Sequence, residues 1–309
     1  MKSDDRTLAA AGFIALYAIV IAFTDNYVRV IATDGGLWQF HATRSVMALA
    51  ILAVAAPLLA LRLRPVDPRA VVARSAIHAA AMVIYFGALA FLPVAQVAAG
   101  LFTAPIFVLL ISRLAYGERI GLLRVLAVGL GFAGVVLVLG PRAMAGASLA
   151  AALPVLAGCL YGLGNIATRA WCPQESAGTL LAGFFAALGV FGLLGMALAT
   201  LIPHEVPAGA DGFVLRGLVW PTGRFLFWTF VQAAGSLFAV GMMIRAYQVA
   251  QASRVSVLEY MLLPASALWG WLLWSETLSP LAAAGMALIA LAGVTITLGA
   301  RSPAPAQAG

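Results

Sequence analysis

Long apolar runs, separated by short polar breaks, make up almost the whole chain. Within each run the apolar residues are continuous and do not alternate with polar ones, which favours membrane-spanning helices over the strands of a barrel. A spanning helix needs about 20 predominantly apolar residues. The pattern therefore predicts an all-α integral membrane protein with ten transmembrane helices. They are Leu8–Val28, Leu37–Leu61, Val71–Phe91, Val94–Leu114, Gly121–Leu139, Leu149–Thr168, Leu180–Ile202, Phe225–Ile244, Ser253–Trp274 and Leu281–Leu298.

One segment of the chain occurs twice. Pro105–Gly140 and Pro264–Gly299 are both 36 residues long and align at an offset of 159 residues, with Glu118 and Glu276 matching after a slip of one residue. We interpret this as two five-helix repeats. Because five is an odd number, the second copy must be inverted in the membrane, an arrangement that places a substrate site near the midplane and supports alternating access. The predicted repeats are residues 1–141 and 142–309.

Composition narrows the class of protein further. Charged residues are only 9% of the chain, against about 25% in a soluble domain. A net charge of +7 is also found in proteins that bind nucleic acid. Arginines that flank spanning helices set membrane topology, however, and we expect no nucleic-acid partner. Cys159 and Cys172 have neither the spacing of a disulfide framework nor that of a metal site. We expect no cofactor and no metal.

The positions of lysine and arginine predict the orientation of the chain. Segments on the side of the N-terminus carry most of these residues, which places both termini in the cytoplasm and the chain in the inner membrane, among its lipids. The one long outer connection, Pro203–Gly223, is expected to be a solvated connector. The inner residues are Lys2, Arg6, Arg62, Arg64, Arg69, Arg74, Arg113, Arg119, Arg124, Arg169, Arg245, Arg254 and Arg301, and the outer ones are Arg29, Arg142, Arg216 and Arg224.

Polar side chains inside a span are costly, so each is a candidate functional residue. Asp25 in the first span either neutralises Arg29, four residues further on, or lines the outer mouth of a cavity. Trp38, His41 and Arg44 share one face of the second span. Arg44 lies about 10 Å from the outer end, by the helical rise, and should bind a carboxylate of Asp25 or of an anionic substrate. His41 is either a packing residue or a pocket and proton-relay residue.

Three more candidates lie in other spans. Tyr85 shares a helical stripe with His78 and Met82 and is either a core residue or a site residue. Asn165 either forms a hydrogen bond between helices or lines the transport path. Gln232 is the only strongly polar residue in the outer half of the eighth span. We retain Tyr85, Asn165 and Gln232 as substrate-binding candidates.

Glu259 and Tyr260, in the ninth span, give the strongest signal. Glu259 lies about 9 Å from the inner end of its helix, and its counterpart at the repeat offset is Gly100. The repeat therefore does not account for this carboxylate. A lone carboxylate inside a span either pairs with an arginine or titrates. Glu259 is thus a residue for proton coupling or for a substrate amine, or the ion-pair partner of an arginine on another helix, such as Arg245.

The chain resembles the EamA-like family of the drug/metabolite transporter superfamily. The resemblance rests on Leu92–Pro141 and Ala246–Gly293, which both have a mid-helix proline, a break before a glutamate and a glycine-rich final helix. The break Trp274-Ser275-Glu276 departs from the pattern, since many members have glycine before the glutamate. The resemblance implies a secondary transporter with cytoplasmic termini and a central cavity. Relatives move amino acids, S-adenosylmethionine, riboflavin, metallophores or drugs, in either direction.

We therefore expect a transporter of small organic metabolites that works by alternating access, with export of amino acids or related amphipathic compounds as the first hypothesis. Arg44 and Glu259 would present opposite charges to a zwitterion, while Tyr85 and Tyr260 would present apolar faces. Glu259 is the candidate for proton coupling. The chain is either a monomer or a homodimer.

Three alternatives remain open at this point. The first is an uptake carrier for a vitamin or a nucleoside-like metabolite, and the second is a passive channel. The third is a membrane-embedded enzyme, which would need a constellation of catalytic side chains, whereas His41, His78 and His204 lie in separate regions of the sequence.

Overall fold

The computed structural model describes residues 6–88, 94–140, 152–202, 205–277 and 279–299. All the regular elements in these ranges are helices, and the ranges contain no strand, in agreement with the predicted all-α class. Short 3₁₀ turns lie at Gly209–Gly212 and Glu259–Met261. The helices are α1 (Thr7–Asn26), α2 (Val28–Asp34), α3 (Leu37–Leu58), α4 (Pro68–Ala88), α5 (Val94–Leu101), α6 (Ala104–Leu114), α7 (Leu122–Leu139), α8 (Ala152–Ala170), α9 (Ala177–Leu201), α10 (Gly223–Val249), α11 (Ala252–Leu258), α12 (Leu262–Trp274) and α13 (Pro280–Gly299).

Nine stretches within the described ranges are long and apolar enough to cross a membrane. They correspond to nine of the ten predicted spans. The first stretch, Thr7–Asp34, joins α1 and α2 and continues past the predicted end at Val28. The remaining prediction, Leu149–Thr168, corresponds to α8, which is not among the nine. The predicted repeat boundary after residue 141, and His204, lie outside the described residues.

Contacts between the connecting segments define two ends of the helix bundle. At the amino-terminal end, the Arg6 amide donates to the Val249 carbonyl at 3.3 Å, which joins the start of α1 to the end of α10. At the opposite end, Arg29 pairs with Glu276 at 2.8 Å, which joins α2 to the connection before α13. Successive spanning segments alternate in direction. The helices α1, α4, α7, α9 and α11 therefore begin at the amino-terminal end, and α3, α5, α8, α10 and α13 begin at the opposite end.

A helix break precedes the proline that begins each repeated segment, and proline explains it. Proline lacks an amide hydrogen, and its ring clashes with the carbonyl four residues earlier in a helix. For Pro105 that carbonyl belongs to Leu101, where α5 ends, and for Pro264 it belongs to Tyr260, between α11 and α12. The second break places Glu259 in a 3₁₀ turn inside the bundle.

Glycines allow several helices to approach closely. A Cβ atom on Gly134 of α7 would lie 2.6 Å from the carbonyl oxygen of Gly285 on α13, and a Cβ atom on Gly285 would lie 2.6 Å from that of Gly134. Gly100 of α5 packs in the same way on α8, where its Cβ atom would lie 2.2 Å from Pro154 Cβ. Small residues at such crossings are typical of membrane helix packing.

The connection between α9 and α10 is more than the solvated connector that the sequence predicts. In its described part, residues 205–222, Phe213 is buried against Ile31, Phe40 and other core residues. The Arg216 guanidinium donates to the carbonyl of Gly35 at 2.8 Å. This connection therefore covers the opposite end of the bundle.

Candidate functional site

A cavity of about 200 Å³ lies inside the bundle. Its wall is mostly apolar and includes Met82, Phe86, Phe184 and Leu262. Polar side chains on the wall come from helices in the first and in the second half of the chain. These polar side chains are Tyr17, Asp25, Arg44, Arg74, His78, Tyr85, Tyr161, Gln232, Ser236, Ser256 and Glu259.

Toward the opposite end of the bundle, Gln232 bridges Arg44 to Asp25. Arg44 Nη1 donates to Gln232 Oε1 at 3.0 Å, and Gln232 Nε2 donates to Asp25 Oδ1 at 2.9 Å. Arg44 and Gln232 are buried, whereas Asp25 is exposed. We call these three residues the Gln232 cluster. The sequence predicts that Arg44 binds a carboxylate, either that of Asp25 or that of an anionic substrate. The structure places a carboxamide between Arg44 and Asp25.

Asp25 does not neutralise Arg29, so that alternative is wrong. Arg29 pairs with Glu276 on the other half of the chain at 2.8 Å, and the two side chains are 48% and 53% exposed. Arg29 also lies over the ring of Trp274 at 4.8 Å. Asp25 instead lies on the cavity wall, in line with the other interpretation of the sequence, that it lines a cavity.

Toward the amino-terminal end, the Glu259 carboxylate is surrounded by uncharged donors. The hydroxyl of Tyr161 donates to Oε2 at 2.8 Å, the amide of Asn165 donates to Oε1 at 3.1 Å, and the hydroxyl of Tyr247 also donates to Oε1. The other side of the Asn165 carboxamide faces His78 Nε2 at 3.0 Å. We call these five residues the Glu259 cluster.

The orientation of Asn165 fixes the state of its neighbours. An ionised carboxylate only accepts hydrogen bonds, so Asn165 must turn its NH₂ group toward Glu259. Its carbonyl oxygen then faces His78, which must carry its proton on Nε2. The sequence leaves open an ion pair between Glu259 and Arg245, and the structure contradicts it. Arg245 is exposed and donates to Gln248 at 3.2 Å, and no ion pair involves Glu259 in the part of the chain that the structure describes.

Arg74 is a cavity residue that the sequence does not single out. Its position near the start of α4 groups it with the inner topology charges, but it is fully buried. Its Nε donates to the Thr168 hydroxyl at 2.9 Å and its Nη1 to the Leu180 carbonyl at 3.3 Å. The signal available in the sequence is its spacing, because Arg74 and His78 are four residues apart and share a helix face.

Three predicted site residues do not reach the cavity. The ring of Tyr260 packs where a Cβ atom on Gly131 would lie, on the far side of its helix from the cavity. The ring of His41 packs against Phe86 with centroids 4.6 Å apart, and neither ring nitrogen has a hydrogen-bond partner. The indole of Trp38 donates to the Val214 carbonyl at 3.0 Å. Tyr260, His41 and Trp38 therefore act in packing in this conformation.

The remaining predicted residues lie on the cavity wall or contact a residue of that wall. Tyr85 and Gln232 are on the cavity wall. Asn165 contacts the cavity through Glu259. Tyr161 and Tyr247 belong to the Glu259 cluster and are not predicted, although Tyr161 lies four residues before Asn165 on the same face of α8. Within the ranges that the structure describes, no group of His, Cys, Asp and Glu side chains is suited to hold a metal ion.

Comparison with known proteins supports a transporter. Residues 8–140 match the EamA-like transporter family, so the resemblance found in the sequence is confirmed. A riboflavin transporter of Rhizobium johnstonii is 30% identical over 210 residues, which cover 67% of this chain and 63% of that protein, just under two thirds of its length. A pseudopaline exporter of Pseudomonas aeruginosa is 27% identical over 229 residues, covering 72% of this chain and 73% of that protein. These relatives are named as transporters or exporters, not as enzymes.

The fold also occurs in a solved structure. A protein of known crystal structure superposes with a TM-score of 0.75, covering 94% of this chain and 98% of the other at 20% sequence identity. The family match and the apolar helices together make this a membrane-embedded, multi-pass protein.

Proposed function

Because residues 8–140 match the EamA-like transporter family, we propose that this chain is a carrier of small organic metabolites and that the cavity is its binding site. The observation that carries the proposal is that one cavity has buried groups of opposite charge, Arg44 and Glu259, on its wall. Charged groups inside a membrane protein usually mark a substrate or ion pathway. A ligand that carries both charges would therefore find groups of opposite charge on the wall of this one cavity.

The proposed architecture is ten spanning helices in two inverted five-helix repeats, residues 1–141 and 142–309. The matching helix breaks before Pro105 and Pro264 support this arrangement, as does the length of α8, whose 19 residues suffice for the remaining span. Broken helices near the midplane are typical of carriers in which one repeat moves against the other. Alternating access would then expose the cavity to each side of the membrane in turn.

The proposed substrates are amino acids or related amphipathic metabolites, with export as the favoured direction. The mostly apolar wall suits a side chain, and the charged groups suit an ammonium and a carboxylate. The excess of arginine at the amino-terminal end of the bundle supports an inner-membrane orientation with both termini in the cytoplasm.

Proton coupling through Glu259 is part of the proposal. All three donors to this carboxylate are uncharged. Glu259 can therefore gain or lose a proton without leaving a cation unpaired beside it. A proton bound on one side of the membrane and released on the other would couple its gradient to the substrate.

The test is counterflow of labelled amino acids in proteoliposomes, with and without a pH gradient. We expect Glu259→Gln to remove the response to the pH gradient, because the amide cannot titrate. Glu205→Gln, which changes an exposed carboxylate on the connection before α10, is the matched control and should behave as wild type. If Glu259→Gln leaves both the rate and its pH dependence unchanged, Glu259 does not couple protons.

A second candidate is uptake of a vitamin, favoured by the 30% identity to a riboflavin transporter. Riboflavin should be an arm of the same counterflow experiment. Exchange of riboflavin without exchange of amino acids would favour this second candidate over the first.

A further inference from the structure

We propose that Arg74 and Glu259 together form a subsite for the head group of an α-amino acid, with Arg74 holding the carboxylate and Glu259 the ammonium. This inference rests on the proposed transport function and names the part of the cavity that recognises the substrate. It replaces Arg44 with Arg74 as the partner of Glu259 in binding a zwitterion.

Arg44 already has an anion within the protein. Its guanidinium is joined to the Asp25 carboxylate through the Gln232 carboxamide. Its charge also lies near the faces of two aromatic rings, 5.1 Å from the centroid of Phe40 and 5.8 Å from that of Phe185. The Gln232 cluster therefore needs no ligand to compensate its charge.

Arg74 has no such partner. It is 1% exposed, lines the cavity, and forms no ion pair with any described acidic residue. Its hydrogen bonds to Thr168 and Leu180 use two N–H groups and satisfy no charge. A guanidinium has about five N–H donors, so donors remain for a ligand. A buried, unpaired cation on a cavity wall is most stable when an anion occupies the cavity.

Helix α8 shows how close Arg74 and Glu259 are along the bundle. Glu259 contacts Asn165, and Arg74 contacts Thr168. Three residues of helix correspond to about 4.5 Å along the axis. His78, one turn further along α4 than Arg74, forms its hydrogen bond to Asn165 beside Glu259. This separation along the axis suits a ligand that carries its ammonium and carboxylate on the same carbon atom.

The distance to Arg44 is too long for such a ligand. The cavity wall on α10 extends from Gln232, which contacts Arg44, to Met243, which contacts Tyr161 beside Glu259. These positions are about 16 Å apart along the helix. A head group bound at the amino-terminal end would direct its side chain along the apolar wall, toward Tyr85 and Phe86.

The experiment deletes one functional group at a time from the ligand and from the protein. The probes are L-phenylalanine, L-phenylalaninol, which lacks the carboxylate, and 3-phenylpropanoate, which lacks the amine. Binding to the purified full-length chain is measured as ligand-dependent thermal stabilisation, and transport as counterflow. For wild type we expect each analogue to bind at least about 10-fold more weakly than phenylalanine, because each loses a charge-assisted hydrogen bond.

The variants then assign the groups. Arg74→Gln should weaken the binding of phenylalanine about 10-fold and leave the binding of phenylalaninol unchanged. Glu259→Gln should weaken the binding of phenylalanine and leave the binding of 3-phenylpropanoate unchanged. Arg74→Lys, which keeps the charge in case Arg74→Gln does not fold, should keep the preference for phenylalanine over phenylalaninol at reduced affinity. Arg69→Gln, on an exposed position of the same helix, should change nothing.

Two results would overturn the subsite. One is an equal loss of binding affinity for phenylalanine and for phenylalaninol in Arg74→Gln, which would show that Arg74 has a structural role. The other is wild-type binding that does not distinguish the three probes. If wild type exchanges phenylalanine but Arg74→Gln does so equally well, only the subsite fails. If wild type neither binds nor moves any amino acid, the proposed substrate class fails as well.

Discussion

Asn165 donates its side-chain amide to the Glu259 carboxylate at 3.1 Å, and the two residues come from different helices of the second half of the chain. Asn165→Leu would remove this donor and also the partner of His78. An orphaned buried polar group costs about 1–3 kcal/mol, so we expect the variant to be less stable by at least that amount. Thermal unfolding in detergent measures it.

The control for this variant is Asn26→Leu. Asn26 donates to the carbonyl of Ala22 in its own helix, at 2.8 Å. Equal destabilisation by the two substitutions would contradict a special role for the amide between Glu259 and His78.

Gln232 transmits the interaction between Arg44 and Asp25. We expect Arg44→Gln and Asp25→Asn to be non-additive in a double-mutant cycle, with a coupling free energy of about 0.5–3 kcal/mol. In a Gln232→Leu background the coupling should fall, because the bridge is absent. A coupling that is the same in both backgrounds would mean that the two charges interact without Gln232.

The crossing of α7 and α13 depends on Gly134. Gly134→Ala would place a Cβ atom 2.6 Å from the Gly285 carbonyl and 2.8 Å from Ile289 Cγ1, so the helices must move apart, at a cost of about 1–3 kcal/mol. Gly129 is on the same helix, and a Cβ atom added there would meet no neighbouring atom within 4 Å. Gly129→Ala should therefore be neutral or stabilising by up to about 1 kcal/mol. The comparison of the two melting temperatures is the measurement.

Two of the three ion pairs in the described part of the chain should differ in strength. Arg29 and Glu276 are 48% and 53% exposed, whereas Arg124 and Glu118 are 14% and 20% exposed. Arg124 also donates to Gln251 at 2.6 Å. We expect Arg29→Gln to change stability by about 1 kcal/mol or less and Arg124→Gln to change it more. High salt should narrow the difference between wild type and Arg29→Gln, and an equal effect of both variants would contradict the burial argument.

Much of the fold follows from the lengths of the apolar runs. A run of about 20 residues has only one common solution in a membrane, so the span positions are predictable to within a few residues. The connection before α10 is not, because Phe213 becomes a core residue only through contacts with distant helices. Its own segment is rich in glycine and proline and has no periodic pattern.

The candidate site is predictable where a charge is isolated in an apolar run, and less so elsewhere. Glu259 is such a case. Arg74 follows the basic segment before α4 closely enough to be read as part of it, and only the depth of α4 in the bundle shows its burial. Tyr161 and Tyr247 are tyrosines in apolar helices, which usually serve in packing. Tyr260 adjoins Glu259 in sequence but points away from the cavity, because consecutive residues of a helix face different directions.

Gly100 and Glu259 are separated by 159 residues, the offset at which Pro105–Gly140 aligns with Pro264–Gly299, and each lies close to a proline-induced break. A side chain at Gly100 would collide with Pro154 of α8, so the first segment cannot carry an acid there without displacing that helix. The first position thus provides a close approach between two helices, and the second provides a charge. A chain with glycine at both positions would lack the carboxylate, so the two positions are not interchangeable.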